Sequence, residues 1–564
     1  MILKRLLELS DKLDDLPISG YQHRLITKAI HLNRKGEFQN VVPLTGEKRG
    51  TREGKIQLVP QEAPARTSGI KARLIADNAN YVLGKTRAKD TSEKTMKRHE
   101  AYCSLVSDCA KATQEPSVEA VKRWIESGGP EALRDDPRIT EDDEIIFVVD
   151  GEIPTELRSV QEYWASMGEE CPDAFCLVTG KWGPVVERMP APIKGVPGGQ
   201  PTGTTLVSVN MACGESYGLT ASLNSPISKV AAEKIGNTLN WLLQSERHSL
   251  RIGKMVYIYW TRGQDDFDFL TFLTAPRPED VRALLVSAQH GREAAPVSGS
   301  DFFALCLSAN VSRIVVRDYH ETTIEAVKRS LKQWFERIMI VSPDGGGGEP
   351  MGVFRLAASL YREPKDMPPH VPVDLLRSAM AGSPLPEYLL GLAVKRNLAM
   401  QGPYEEIGNR RVLSTPRLAM IKAIIQEKEG IALDSLKTDH PDPAYHCGRL
   451  LAVLERIQRA ALGDINATVV DRYYGAACSS PGSILGNLVN DAQPHLAKLR
   501  KNNKDKFHQM ALEEVLSAIG AEFPRTLDLR RQGLFALGFY HQKAHDRAQA
   551  AAARASNISE GEAQ

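Results

Sequence analysis

The chain has 564 residues, 42% hydrophobic and 25% charged, which excludes a disordered chain and supplies more than one core, about three or four domain-sized units or two large ones. No run approaches the ~20 apolar residues of a membrane-spanning helix. Seventy-one Lys/Arg stand against 70 Asp/Glu, a net charge of +1, which excludes a uniformly basic coat for nucleic acid. The charge is nevertheless polarised. Residues 1–100 carry 20 Lys/Arg and 12 Asp/Glu, and residues 101–200 carry 9 and 19, so a phosphate backbone is drawn to the first block and repelled by the second.

In chain order, residues 1–40 predict an amphipathic helix, a turn at Gly20 and a short strand. The opening segment lacks the apolar stretch and cleavage site of a signal peptide, so the expected location is the cytoplasm. Residues 41–69 predict a loop rich in glycine, proline and basic side chains that presents charge but builds no core. A helix with Lys94, Lys97 and Arg98 comes next, then one at 118–127 stopped by Gly128-Gly129-Pro130. The middle predicts short strands at 145–149, 175–178, 205–209, 255–260 and 312–317, with a helix at 228–244. Ile324, Val327, Leu331, Trp334 and Ile338 recur at helical spacing and predict a helix facing a core. Asp344 with Gly345–Gly348 predicts a flexible break, and Pro364, Pro368, Pro369 and Pro372 a hinge. Beyond it strand signals stop, and Leu450, Leu454, Ile457 and Ala461 open a helical bundle.

The fold class read from this pattern is α+β: a mixed α/β N-terminal and central region with short β-sheets, then an all-α C-terminal helical bundle. The expected divisions are 1–115, 116–350 and 370–550, with a flexible tail at 551–564. Eight cysteines, Cys103, Cys109, Cys171, Cys176, Cys213, Cys306, Cys447 and Cys478, form no C-x-x-C pair and read as reduced thiols.

Four motifs suggest catalysis or cofactor binding. Gly214-Glu215-Ser216-Tyr217-Gly218 matches the nucleophile elbow G-x-S-x-G, with a strand predicted before it but a loop where the helix must come. The glycine-rich 195–203 stretch lacks the Gly-Lys-Ser/Thr ending of a phosphate loop and reads as a structural turn. Asp135, Asp136, Glu141, Asp142, Asp143 and Glu144 could bind metal for a nuclease, but a contiguous acidic run reads better as a solvated loop. His541 and His545 are four apart without the glutamate of H-E-x-x-H, and read as a basic helix end. A hydrolase or metal-dependent nuclease built on Ser216 or the acidic run is thus the alternative reading, and no cofactor is expected.

The stronger candidate is a nucleic-acid site at Arg66, Thr67, Ser68, Gly69, Lys71 and Arg73, then Asn78 and Asn80. Small residues let the backbone approach a groove, while basic and amide side chains anchor phosphates and meet base edges. Lys48, Arg49, Arg52 and Lys55 are further backbone-contact candidates. So are Lys498, Arg500, Lys501 and Lys504 on the bundle.

Arg-Thr-Ser-Gly-Ile-Lys (66–71), Asp-Asn-Ala-Asn-Tyr-Val-Leu-Gly (77–84), Gly-Gly-Gln (198–200), Glu-Ser-Tyr-Gly (215–218) and Asn-Ser-Pro-Ile-Ser (224–228) occur in this order. Leu-Ser-Ala-Asn-Val-Ser-Arg-Ile-Val-Val-Arg (307–317), Gly-Arg-Leu-Leu-Ala-Val-Leu-Glu (448–455), Asn-Ala-Thr-Val-Val-Asp-Arg-Tyr (466–473) and Gln-Gly-Leu-Phe-Ala-Leu-Gly-Phe-Tyr-His-Gln (532–542) continue the series. Together they resemble the large subunit of the type I-C CRISPR surveillance complex, Cascade. The resemblance implies a non-catalytic subunit that reads a short T-rich protospacer-adjacent motif (PAM) in double-stranded DNA. It implies that the subunit opens the duplex for the crRNA, helps hold the displaced strand and recruits a helicase–nuclease. The implied partners are crRNA, the Cascade backbone and crRNA-handle subunits, and a small subunit made from the same reading frame, with Met400 and Met420 as candidate starts. The same resemblance places PAM reading at Ser68 and Gly69, contact at Lys71, and support at Arg73 and Asn78.

Overall fold

The computed structural model describes residues 2–562 apart from 15, 50–51, 62–69, 89, 168–171, 210, 263–267, 288–300, 408–409 and 464. The fold is α+β, with short sheets and a helical C-terminal region. Contacts divide the chain into two compact units, Met1–Ser249 with Leu307–Arg317, and Leu250–Cys306 with Asp318–Gln564. Among the described residues, no helix is long and apolar enough to cross a membrane.

Among the described residues, the first unit holds two larger sheets and a two-stranded ribbon, Asp173–Phe175 with Trp182–Pro184. In one of the larger sheets, strands Tyr21–Ile26, Arg52–Pro60 and Glu47–Arg49 lie in that order, all antiparallel. The 41–69 stretch is therefore not a loop throughout: a nine-residue strand occupies 52–60 and buries Val59 and Pro60. Sequence reading missed it because its exposed face carries the charges. Gly54 is required here, since a Cβ would stand 2.3 Å from the Ile26 carbonyl oxygen. The second sheet runs Phe38–Pro43, Lys28–Leu32, Glu144–Val149, Asp77–Asn78. Its Lys28–Leu32 strand pairs parallel with Glu144–Val149, whose residues Ile145–Phe147 are buried in succession, the pattern of a strand covered on both faces. Helices Ser92–Thr113 and Pro116–Glu126 contribute Tyr102, Val106, Val118, Val121 and Trp124 to the same core. Trp124 meets Phe147 edge-on at 5.3 Å; each such buried side chain is worth roughly 1.5–3 kcal/mol of transfer free energy.

The expected strand at 205–209 is not formed; Thr204 and Thr205 make only single bridges. The glycine-rich 195–203 turn is structural: Gln200 N–H donates to the Val311 carbonyl at 2.9 Å, and a Cβ on Gly198 would stand 2.8 Å from the Ala309 oxygen. Helix Lys229–Gln244 forms as its periodicity predicts.

In the second unit, strands Ser249–Ile252, Met255–Thr261, Asp301–Asn310 and Arg313–Thr323 form a sheet in that order, and the far end of its hairpin, Leu307–Arg317, groups with the first unit. Helix Ile324–Ile338 buries Ile324, Val327, Leu331, Trp334 and Ile338, the five periodic positions. Its C-terminal carbonyls at Glu336 and Met339 accept from Lys422 Nζ at 3.1 and 2.6 Å, a cation placed where the helix end is negative. The glycine run after Asp344 is held closely: a Cβ on Gly345 would lie 2.3 Å from Ala548 Cβ, and one on Gly348 2.6 Å from the Ile340 oxygen.

The bundle centres on helix Pro443–Leu462, packed against Leu529–Glu562. The helix read from Leu450, Leu454, Ile457 and Ala461 buries all four. A two-stranded ribbon, Tyr404–Ile407 with Arg410–Leu413, interrupts the helices; its strands are too short and too charged to give a strand pattern. His541 is not part of a basic helix end. It is fully buried, with Nδ1 2.8 Å from Tyr445 Oη, while His545 is exposed.

Candidate nucleic-acid interface

Arg66, Thr67, Ser68 and Gly69 lie outside the described residues. Residues 72–82, the root of that segment, are largely buried. Arg73 has 0% exposure, as does Asp77. The guanidinium pairs with Asp77 at 3.0 Å and with Glu144, while the Arg73 backbone N–H donates to Asp77 Oδ2 at 2.8 Å. Glu144 also accepts from Arg24 at 2.7 Å. Burial pushes the Glu144 carboxyl up, and the two arginines more than offset this, leaving it below its ordinary range.

Asp77–Asn78 pairs with Glu144–Ile145 as a short antiparallel strand, so the acidic partner arrives from a different part of the chain. Asn78 caps the turn of helix Ala79–Val82, its side chain accepting from Tyr81 N–H at 3.3 Å. Asn80 donates to the Lys85 carbonyl at 2.9 Å and accepts from Arg98 at 2.9 Å. Ile75 sits at φ 62°, a strained conformation for a β-branched residue, with its carbonyl accepting from Tyr102 Oη at 2.7 Å. Arg73, Asn78 and Asn80, read from the sequence as DNA contacts, are all three buried and internally bonded in this structure. Lys71 is nearer the surface, only partly buried, with its backbone N–H 3.4 Å from Tyr81 Oη.

The basic hairpin is partly neutralised by the acidic block. Lys48 is 76% exposed and 3.9 Å from Glu53. Asp142 bridges Arg52 at 3.4 Å and Arg87 at 3.0 Å. Arg49 stands opposite Arg52 in the register, and Lys55 is exposed. The acidic run is thus not a solvated loop throughout. Asp143 accepts from Thr27 Oγ1 at 2.6 Å and Glu144 is buried. Sequence reading missed the pairs made by Asp142, Asp143 and Glu144 because they join residues far apart in the chain; a local signal was the i, i+4 spacing of Arg73 and Asp77.

On the bundle, Lys498, Lys501 and Lys504 are exposed where helix Pro481–Arg500 turns into Lys506–Ile519. Arg500 is also exposed but pairs with Asp505 at 2.9 Å. Phe507, 53% exposed, lies beside them under Arg456, whose guanidinium is 4.6 Å from the ring centre.

A family model described as CRISPR-associated protein (Cas_Csd1) matches residues 3–546. The chain belongs to this family, that of the type I-C large subunit. Comparison with curated proteins gives no match. As a Csd1-family chain it is a subunit of a CRISPR-associated Cascade complex.

The features that suggested catalysis take ordinary places in this Csd1-family chain. Ser216 is exposed in a tight turn in which Leu219 N–H donates to the Ser216 carbonyl at 2.9 Å. A short 3-10 turn at Ala221–Asn224 comes next, and helix begins only at Lys229, so the strand–turn–helix that makes an elbow nucleophilic is not built. Among the described residues, no three His, Cys, Asp or Glu side chains converge as a metal site. The described cysteines are free thiols, Cys213 exposed and Cys103 partly so.

Proposed function

We propose that this subunit acts by binding, not catalysis: it reads the PAM in double-stranded DNA through the 66–71 segment, promotes duplex opening and R-loop formation with the crRNA, and helps recruit the helicase–nuclease. Arg66, Thr67, Ser68, Gly69 and Lys71 do the reading; Arg73, Asn78 and Asn80 hold the buried stretch that follows them in the chain. The observation that carries this is the buried Arg73–Asp77–Glu144 cluster. A segment that must discriminate base pairs needs a rigid root, and ion pairs shielded from water supply one. Lys48, Arg52, Lys55 and the 498–504 turn add sequence-independent phosphate attraction.

The proposed partners are crRNA, the backbone and crRNA-handle subunits, and a small subunit translated from an internal start. Of the two candidate starts, Met400 comes just after helix Tyr388–Ala399 and leaves the later helices whole, whereas Met420 falls within helix Thr415–Glu429. Met400 is therefore the proposed start, and a fragment beginning there should appear in the mass spectrum of the complex.

The deciding experiment compares binding of the guide-loaded complex to matched duplexes with and without a TTC motif, for wild type, Lys71→Ala and Ser68→Trp. Loss of motif preference with retained binding to pre-opened target supports the reading. Full preference in both variants overturns the assignment to this segment. Ser216→Ala should leave interference intact.

A further inference from the structure

A second feature of the first unit bears on unpaired nucleic acid. Asn237, Asn240, Trp241 and Gln244 are spaced i, i+3, i+4, i+7 on helix Lys229–Gln244, so they share one face. The helix buries Ile235, Leu239, Leu242 and Leu243 elsewhere. The amide–aromatic face lines a groove of about 340 Å³ whose other wall includes Gln22 and Gln61, a size within the range of small-ligand sites.

Two of the amides build the groove. Asn240 accepts from Lys194 N–H at 2.8 Å and donates to the Pro192 carbonyl at 3.0 Å. Gln61 donates to the Pro190 carbonyl at 2.6 Å. Among the described residues, no hydrogen bond engages the side chains of Gln22, Asn237 or Gln244. Trp241 is partly buried, its indole 5.2 Å from the His248 ring. Lys194, exposed, stands at the edge.

We propose that this groove binds an unpaired nucleobase, stacked on Trp241, with its edge hydrogen-bonded by Asn237 and Gln244 and its phosphate near Lys194. The inference rests on the nucleic-acid reading above and extends it to a second site. A base offers what the lining asks for: a flat π-face together with donors and acceptors around its edge, which amides match in either sense. An apolar side chain from a protein partner would instead strip water from three amides without replacing their hydrogen bonds. The wall strand Arg52–Pro60 leads through Gln61 directly into the proposed PAM-reading segment, so a base released beside the PAM has a site close along the chain.

The test titrates the full chain with short single-stranded DNA carrying one fluorescent adenine analogue. Wild type should quench the analogue by stacking. Trp241→Ala should relieve the quench and weaken binding roughly tenfold, Trp241→Phe should retain most of both, and Asn237→Leu should weaken binding while leaving the helix folded. An unquenched analogue in wild type overturns the proposal, as does wild-type quenching and affinity in both Trp241→Ala and Asn237→Leu. Motif preference of the guide-loaded complex is measured alongside. If it persists while the groove variants behave as wild type, the groove alone is wrong; if wild type shows no preference, the PAM reading fails and the quench still decides the groove.

Discussion

Arg73 and Asp77 form an ion pair, 3.0 Å apart, in which both side chains are fully buried. Removing either partner breaks one arm of a buried ion-pair cluster that also holds Glu144, and breaking a buried pair costs about 3–5 kcal/mol in comparable cases. Arg73→Ala and Asp77→Asn should therefore lower stability in chemical denaturation by several kcal/mol. Lys71→Ala, two residues away and nearer the surface, should leave it within about 0.5 kcal/mol. If Arg73→Ala unfolds like wild type yet loses DNA binding, Arg73 is a contact residue after all and its buried placement is not the working one.

Acid should weaken the two units in different pH windows. Glu144 is held below the usual carboxylate range in the fold, where burial raises it but Arg73 and Arg24 outweigh burial. Its contribution is present above the unfolded pKa of about 4.3 and is lost as pH falls through the lower folded value. His541 is held down at about 3, by burial first and then by the nearby charges of Lys422, Lys437 and His440. Between about 6.5 and 3 the unfolded chain binds a proton that the folded chain refuses, so stability falls with decreasing pH by about 1.4 kcal/mol per unit. Stability measured from pH 7 to 5 should fall in wild type and fall less steeply in His541→Gln, while Glu144→Gln should alter only the slope below about pH 4.5. A His541→Gln slope equal to wild type over pH 7 to 5 counts against a neutral, buried His541.

Gly448 and Gly538 explain two of the segments that carried the family resemblance. A Cβ on Gly448 would stand 1.9 Å from the Phe535 oxygen, and one on Gly538 1.9 Å from the Tyr445 oxygen. The helices meet backbone to backbone, which only glycine permits. Gly448→Ala and Gly538→Ala should each destabilise the bundle by about 1–3 kcal/mol or more. Because both act on one crossing, the double variant should cost less than the two combined. Additive costs in a thermal-melt series would mean that the two positions relax independently.

The helices at 228–244, 324–338 and around 450–461 were legible because their periodicity is set by a core they face. The Arg52–Pro60 strand was not, because its exposed residues are charged, its hairpin partner Glu47–Arg49 is only three residues long, and its main partner Tyr21–Ile26 is distant in the chain. At the site, the Arg73–Asp77 spacing was visible, but their burial depends on Glu144, 71 residues from Arg73 in sequence. Local pattern shows which residues can carry charge; it does not show which charges the fold neutralises. Trp241 and its amides give no sequence signal for the same reason, since a polar helical stripe reads as solvated until an opposing wall is present.

Asp142 holds two arginines, Arg52 and Arg87, at a half-exposed surface. Such pairs contribute little to stability, so Asp142→Ala should melt like wild type. It releases positive charge beside the proposed DNA path. Non-specific duplex binding should tighten, with a steeper dependence on salt by about one phosphate contact. A metal-dependent nuclease using Asp142 predicts the opposite, lost activity without tighter binding, and a cleavage assay alongside the titration separates the two.

Lys498, Lys501 and Lys504 are exposed at one helix turn, and Arg500 beside them is engaged by Asp505. If the three lysines track a nucleic-acid backbone, each releases counterions on binding, and the slope of log K against log salt carries about 0.7 per contact for a single strand. Replacing all three with alanine should reduce that slope by up to about 2 for the guide-loaded complex on pre-opened target, without changing the melting temperature or motif preference. Arg500→Ala alone should change the slope less than any of the lysines, because Asp505 already neutralises it. An unchanged slope in the triple variant removes this turn from the nucleic-acid path, and a changed motif preference would mean that the bundle takes part in reading as well as holding.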